Sequence, residues 1–388
     1  MKPDVLDGLW AHHHAQWRDP MQVISLWEGA SEIDRALLAF RTRGAWWDVL
    51  ERAQITLLVT REYEHLALAL GVENGKPAIS YLRLPHPSGV AFDAARGIVH
   101  IASTRNPNQV IDFKPAVGSL ARLDADSADV SGRPLVPVRS RFYPGSLYLH
   151  DLALVGGALH ANSVGQNAVI RLDDDGSHER VWYPRCIERD GAPVFGQNHI
   201  QLNSIAAGDT LETSFFSAST DKISVRRPGH RNFPVDRRGV VFSGATREPM
   251  ARGLTRPHSA RLHDGKIWVD NSGYGTLGYV EDGGLTVVTR LPGWTRGLAF
   301  QDGVAFVGTS RVIPRFRQYA PGLDVDKSRC GVHACRLAHR RSPRRSITWA
   351  QGNQIFAVEA LPRSFHGGFP FRAGGRQHER EKNLFLRL

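Results

Sequence analysis

Three histidines occupy matching places in a weak internal repeat. His86, His150 and His258 each precede a short stretch that reads as a β-strand with alternating faces. Asn203 and Arg296 stand at the same place in two further units. Neutral imidazole is a good ligand for Zn and Fe, and three protein ligands leave one coordination position open for water or substrate. If the fold brings these positions together, the histidines predict a site for one divalent transition metal, Zn or Fe.

A serine closes each unit after its second strand. In three units this serine follows the leading polar residue by the same 14 positions. The five serines recur too regularly for one of them to be a unique nucleophile, and we expect them to bond neighbouring backbone groups. They are Ser103, Ser163, Ser217, Ser272 and Ser310.

The residues beside these serines are predicted to line the same mouth as the leading residues. Arg296 is a fixed cation suited to a substrate carboxylate, and Tyr274 is a candidate acid or base. The predicted substrate-binding residues are Asn162, Asn203, Asn271 and Arg311. Polar residues at such places can also simply satisfy backbone groups or water, so the alternative is a structural role for the whole set.

The repeat itself predicts the fold. A recurring unit of two or more strands is typical of a β-propeller, in which each unit brings its leading residue to one axis. Gln354 leads a sixth unit, which gives six blades, with seven as the alternative. Residues 55–84 hold surplus strands, and pairing them with the C-terminal strand would close the ring and remove its exposed edges. The predicted fold class is therefore an all-β, six-bladed propeller.

The ends of the chain differ from this repeat. Residues 1–30 are irregular, and the apolar spacing over 31–43 and 45–53 predicts two short helices that form an N-terminal cap. Residues 31–363 are then one propeller domain, and 364–388 form a basic tail.

Composition narrows the function classes. The chain carries 49 Lys and Arg against 38 Asp and Glu, but much of this excess is local to a loop and the tail, and the aromatic residues of a single-strand nucleic-acid platform are not interleaved with it. We therefore expect no nucleic-acid partner. No apolar run is long enough for a membrane span, and Met1–Asp4 lack the start of a secretory signal. The three cysteines suit a reducing cytoplasm.

The stretch from His150 to Phe316 resembles a known family. The motifs that carry the resemblance are Leu-His-Asp-Leu-Ala-Leu, Leu-Asn-Ser-Ile-Ala-Ala-Gly, Arg-Pro-His-Ser-Ala-Arg-Leu, Asn-Ser-Gly-Tyr-Gly and Pro-Gly-Trp-Thr-Arg-Gly-Leu. They are similar to a bacterial family of hypothetical proteins of unknown function, some of which occur alongside tetratricopeptide repeats. The resemblance covers most of residues 30–363 and implies a tetratricopeptide-repeat protein as a partner, but it implies no activity.

A looser similarity, at the level of fold and site, is to the peptide-amidating lyases, which hold zinc with three histidines from separate blades. Together these observations predict a metal-dependent lyase, hydrolase or oxygenase that acts at the axial mouth. Its substrate would be a small or peptidic molecule with a carboxylate. The alternative is a non-enzymatic propeller that binds a protein or peptide at the same mouth.

Overall fold

The strands of this chain form six antiparallel sheets around one axis. The computed structural model describes residues 5, 8, 33–104, 108–119, 133–224, 228, 230, 232–337, 345–365, 368–373 and 386–387. Within these residues each of the six sheets of the ring has four or five strands, and the innermost strands of successive sheets contact one another all the way round it. The predicted six-bladed propeller is therefore confirmed.

The blades are numbered in chain order, and their strands run from the axis outward. Blade 1 contains Pro87–Asp93, Ile98–Ser103, Asn108–Pro115 and Leu135–Tyr143, and blade 2 contains Leu149–Val155, Ala158–Ser163, Ala168–Leu172 and His178–Trp182. Blade 3 contains Leu202–Ala206, Phe215–Ala218, Gly239–Ser243 and Pro249–Leu254, and blade 4 contains Pro257–His263, Lys266–Asn271, Thr276–Glu281 and Gly284–Arg290. Blade 5 contains Trp294–Gln301, Val304–Ser310, Cys330–Arg336, Arg345–Trp349 and Phe40–Arg43, and blade 6 contains Ala357–Pro362, Ile55–Arg61, Leu66–Glu73, Lys76–Arg83 and Phe371–Arg372.

Blade 6 joins the two ends of the chain. Its innermost strand, Ala357–Pro362, pairs with Ile55–Arg61 over six residue pairs, as the surplus of N-terminal strands predicts. Ile55–Arg61 is buried along its whole length because it lies second from the axis and packs on both faces. This pairing joins the N-terminal and C-terminal strands in one sheet and so closes the ring.

The N-terminal cap is only partly helical. Helix α1 (Trp46–Ala53) forms as predicted and buries Trp46, Val49, Leu50 and Ala53, which recur at the spacing of one helix face. The helix predicted over 31–43 is wrong for residues 33–43, which the structure describes. Arg35–Leu37 form one 3-10 turn, and Phe40–Arg43 extend the outer edge of blade 5 by pairing with Arg345–Trp349. A strand forms here because a short isolated helix is only marginally stable, whereas the edge of the sheet supplies partners for the backbone hydrogen bonds.

Shorter elements lie between strands within a blade or between successive blades. They are the 3-10 turns Val164–Gln166, Arg185–Ile187, Ser272–Tyr274, Pro314–Tyr319 and Val325–Lys327, and the ribbons Glu188–Arg189 with Ala192–Pro193 and Gly118–Ser119 with Leu386–Arg387. The predicted irregular segment 1–30 and most of the predicted tail 364–388 lie outside the described residues. Within that tail, Phe371 is fully buried against blade 6.

In three of the five units the closing serine hydroxyl ties one blade to the next, in agreement with the predicted bonds to neighbouring backbone groups. Ser217 donates to the carbonyl of Pro257, Ser272 to that of Thr295 (2.6 Å), and Ser310 to that of Ile355 (3.2 Å). Each bond runs from the second strand of one blade to residues at or beside the start of the next blade's innermost strand. These serines therefore have structural roles, and none of them is a nucleophile at the mouth.

One ion pair spans the axis below the mouth. Arg261 of blade 4 donates to both carboxylate oxygens of Asp151 in blade 2, at 2.7 and 3.1 Å. Asp151 also accepts from the backbone of Leu152 and of Ile205 in blade 3. This carboxylate therefore links three of the six blades, and its partner groups are buried or nearly so.

Candidate functional site

A cavity of about 390 Å³ opens at the end of the axis where the leading residues lie. Its volume is in the range of small-molecule sites. The residues around it come from every blade and from the connections between them. They are Glu62, Tyr63, Thr104, Ser146, Tyr148, His150, Gly165, Asn198, Gln201, Pro228, His230, Arg256, His258, Trp294, Arg296, Phe316, Tyr319, Gln354 and Phe356.

The backbone turns sharply where three of the innermost strands begin. Tyr148, Gln201 and Arg256 have φ of 58°, 50° and 54°, in the left-handed region that non-glycine residues rarely adopt. Such strain persists only where the surrounding structure holds it, and it concentrates at functional sites. Each turn places the residue two positions further along the chain at the axis. These residues are His150, Asn203 and His258.

Arg296 lies at the centre of the site with neutral partners. It is 5 % exposed, its Nη2 lies 2.8 Å from Nε2 of His150, and its guanidinium carbon lies 3.2 Å from the ring centre of Phe356. No carboxylate among the described residues lies within salt-bridge distance of it. Burial lowers the pKa of Arg296 to about 10, although the more distant charge of Glu62 opposes this effect. The guanidinium remains charged at neutral pH, and its charge is not paired directly.

A glycine lets Arg296 reach this position. Gly297 has a φ of 90°, and a Cβ there would lie 2.9 Å from the backbone nitrogen of Val358 in blade 6. The ladder between Trp294–Gln301 and its neighbour is also irregular at this point. The bulge and the glycine together allow the strand to approach blade 6 and turn Arg296 into the axis.

A relay of hydrogen bonds fixes the other side of the guanidinium. With the Gln354 amide oriented so that its oxygen faces the guanidinium, Nη1 of Arg296 donates to it at 2.7 Å. The Gln354 amide nitrogen then donates to Glu62 at 3.2 Å, and Thr104 donates to the other Glu62 oxygen at 2.7 Å. Gln354 therefore separates the carboxylate from the guanidinium and orients both.

The hydrogen bonds of His150 determine its tautomer. Nδ1 lies 3.0 Å from the carbonyl oxygen of Asn203, which can only accept, so Nδ1 carries the proton. Nε2 lies 2.8 Å from Arg296, which can only donate, so Nε2 carries the lone pair. His150 is therefore a neutral imidazole whose two nitrogens both have partners, and its role is to position Arg296.

His258 is also held as one tautomer, but its Nε2, unlike that of His150, does not accept from Arg296. Its Nδ1 lies 2.9 Å from the carbonyl of Arg256 and 2.9 Å from Oγ of Ser272. Since Ser272 gives its own proton to Thr295, the imidazole must donate from Nδ1. Burial, followed by the charge of Arg296, holds the pKa of His258 well below its usual value. The ring is neutral, and Nε2 carries a lone pair with no hydrogen-bond partner among the described residues.

These contacts do not fit a three-histidine metal centre. Such a centre needs three imidazole lone pairs directed at one point, but Nε2 of His150 already accepts from a guanidinium and Nδ1 of both axial histidines carries a proton. Within the described part of the chain no three His, Cys, Asp or Glu side chains are grouped as a metal site. The site for Zn or Fe stays a prediction from the sequence, and the chemistry proposed for Arg296 and His258 does not use a metal.

His86 differs from the other two histidines in its register. In blade 1 the innermost ladder pairs Pro87 with Ser103, and the equivalent pair in blade 2 is Leu149 with Ser163. His86 therefore corresponds to Tyr148 rather than to His150, and it has a φ of 40° as that position requires. Its ring packs against His65 at 4.3 Å and is not part of the cavity lining.

The four predicted substrate-binding residues lie outside the lining and contact neighbouring groups. The same holds for Tyr274, the predicted acid or base. The amides of Asn203 and Asn162 donate to the carbonyls of Pro257 and Ser204, at 2.8 and 3.5 Å. Asn271 accepts from the backbone of Thr255, Tyr274 donates to Asp236 at 3.0 Å, and Arg311 donates to the carbonyls of Gly352 and Ala350. Only Asn203 contributes to the site, through its carbonyl on His150.

Several lining residues went unpredicted although the repeat contains a signal for them. Tyr148, Gln201, Arg256 and Trp294 each stand two residues before a leading residue. Side chains two apart in a strand share one face, so the same alternation could have identified them. Glu62, Phe316 and Tyr319 have no such signal, because they lie at the end of a closing strand and in an insertion of blade 5.

A family model described as a domain of unknown function (DUF4915) matches residues 44–367. Among curated proteins, no sequence matches this chain. Among solved structures, a chain of a nidogen/laminin complex is 11% identical with a TM-score of 0.50, and the match covers 79% of this chain and 98% of that one. Its likeness agrees with the propeller fold.

Two further structures match less well. A streptogramin B lyase is 12% identical with a TM-score of 0.39, over 70% of this chain and 95% of that one. A PQQ-bound aldose sugar dehydrogenase from Streptomyces coelicolor is 17% identical with a TM-score of 0.40, over 67% of this chain and 86% of that one.

No helix among the described residues is long and apolar enough to cross a membrane.

Proposed function

Because this chain belongs to the DUF4915 family, whose description assigns no activity, we propose its function from the site alone: the axial cavity binds a small carboxylate-bearing molecule and performs acid–base chemistry on it. The observation that carries this proposal is the buried guanidinium of Arg296, which has only neutral direct partners among the described residues. An uncompensated buried charge is costly, and an anionic ligand would compensate it.

The charges around the cavity support an anionic ligand. Its described lining contains the guanidinium groups of Arg256 and Arg296 and one carboxylate, Glu62. Thr104 and Gln354 already bind both oxygens of that carboxylate. A guanidinium and a carboxylate form paired, charge-assisted hydrogen bonds, so Arg296 can orient a ligand as well as attract it.

His258 is the candidate proton acceptor. Its Nδ1 proton is bound to Arg256 and Ser272, and the neutral ring therefore has its lone pair at Nε2. Burial and, after it, the nearby charge of Arg296 lower the pKa of His258 and so make this nitrogen a weak base. A ligand carboxylate paired with Arg296 would offset that charge and make Nε2 more basic, so binding would prepare the base for proton abstraction.

A general base of this kind suits lyase or hydrolase chemistry, in which a proton leaves a carbon or a water. The metal-dependent and oxygenase alternatives, the cytoplasmic location and a tetratricopeptide-repeat partner stay predictions from the sequence. The volume of the cavity, about 390 Å³, favours a small ligand over a folded protein partner.

We expect the pKa of His258 to rise when a carboxylate binds. The measurement is an NMR titration of the histidine ring signals against pH, with and without saturating butanoate. His160 is the internal control because it is also buried but does not line the cavity, and its hydrogen bond among the described residues is to the carbonyl of Ala158. Since protonated His258 would bind the anion more favourably, butanoate affinity should also increase as the pH falls. Saturation without any upward movement at His258 would contradict the proposed base.

A further inference from the structure

The wall beside Arg296 is a cluster of flat aromatic rings. Trp294 and Phe316 are stacked with ring centres 5.4 Å apart and an angle of 21° between their planes. Tyr319 lies 6.3 Å from Phe316 and 6.5 Å from Trp294. All three residues are buried, yet all three line the cavity. The cavity therefore combines a cation with an extended aromatic surface.

This aromatic wall is built by an insertion rather than by the blades alone. Pro314–Tyr319 form a 3-10 turn between the second and third strands of blade 5. The turn packs with Val312, Ile313 and the segment around Phe233 of blade 3 in one apolar cluster. Arg256 lies over the face of Tyr319 at 4.4 Å. The insertion is thus held on several sides, and the rings present a fixed surface.

The spacing of the wall and the guanidinium limits the ligand's shape. Trp294 and Arg296 are two residues apart on one strand and both line the cavity, so their backbone positions lie about 6–7 Å apart along it. A carboxylate held by Arg296 would therefore place the next few atoms of the ligand beside the ring of Trp294. A ring joined to its carboxylate by zero to two carbons spans that interval.

On the basis of the proposed carboxylate site, we infer that its ligands are aromatic carboxylic acids. The ring stacks on Trp294, Phe316 and Tyr319 while the carboxylate pairs with Arg296. Aromatic pairs are favoured beyond the area that they bury, because their ring faces and edges carry opposite partial charges. A saturated ring of the same size gains the burial but lacks this contribution, so the wall selects for aromatic ligands.

The test compares two acids of equal charge and similar size by calorimetric titration, 3-phenylpropanoate and 3-cyclohexylpropanoate. We expect the aromatic acid to bind about 2- to 12-fold more tightly, the range that an aromatic contact supports. Trp294→Leu should reduce this preference while retaining binding of the saturated acid, and Phe316→Leu is the second variant. Phe142→Leu is the matched control, because Phe142 is exposed on the outer strand of blade 1.

The outcomes separate the ligand class from the proposed function. Equal affinities for the two acids, or a preference for the saturated acid, overturn the inference but leave the carboxylate site intact. If neither acid binds to the folded wild-type protein, the proposed function fails and the inference fails with it. A preference that persists in both wall variants would place the selectivity elsewhere and overturn the assigned role of the wall.

Discussion

Replacing Arg296 by glutamine should weaken binding of 3-phenylpropanoate by roughly 10- to 150-fold, the equivalent of losing charge-assisted hydrogen bonds of about 1.5–3 kcal/mol. The guanidinium is one of two buried cations in the described lining, and it lies between His150 and Phe356. Glutamine retains polarity but supplies neither the charge nor the two parallel donors. Calorimetric titration of the purified variant measures the loss directly.

Stability separates a binding role from a structural one at this position. Removal of an uncompensated buried charge relieves a desolvation cost, so Arg296→Gln should remain folded with little loss of unfolding free energy. Arg290→Gln is the control, because Arg290 lies exposed on the outer strand of blade 4. If the variant unfolds, the role of Arg296 is structural. If the variant is folded and binds 3-phenylpropanoate with wild-type affinity, Arg296 is not the partner of the anion.

The largest effect on stability is expected from Asp151→Ala. This substitution removes the carboxylate that accepts from Nη1 and Nη2 of Arg261, and it also removes the acceptor of the Ile205 backbone. Removal of one partner of a buried ion pair costs about 3–5 kcal/mol of unfolding free energy. Urea denaturation followed by tryptophan fluorescence provides the measurement.

A double variant shows whether that cost comes from the orphaned charge. Asp151→Leu combined with Arg261→Met removes the pair as a whole, and we expect it to recover much of the stability lost in Asp151→Ala. Asp326→Ala is the matched control at an exposed position in a 3-10 turn. A loss for Asp151→Ala no greater than that for Asp326→Ala would show that the axial ion pair does not hold the blades together.

The propeller could be predicted because its signals are local and repeated. Each unit contains its own alternation and turn residues, so the count of leading residues gives the blade number without any long-range information. The closure by Ile55–Arg61 follows from one surplus of strands at the start and one deficit at the end. The segment 33–43 was harder, because Phe40–Arg43 become a strand only through an edge that lies some 300 residues away in sequence.

The site was only partly predictable, for reasons that the ladders make clear. His150, His258 and Arg296 meet at the axis as the repeat indicates, but His86 is displaced by two positions, and the sequence of one unit cannot fix its register relative to another. The donor and acceptor roles are also set by distant groups. The carbonyls of Asn203 and Arg256 assign both imidazole tautomers, and no residue type encodes a backbone carbonyl's direction.

In the proposed function, the axial cavity recognises a carboxylate through the buried guanidinium of Arg296. The most direct test is a pair of calorimetric titrations of the wild-type protein, one with 3-phenylpropanoate and one with 3-phenylpropanamide. The two ligands share their ring and chain and differ only in the charge that Arg296 would pair. We expect the carboxylate to bind at one site per chain and the amide to bind at least 10-fold more weakly, because the charge-assisted pair is lost. Equal affinities for the two ligands, or no binding of the carboxylate, would contradict the proposed function.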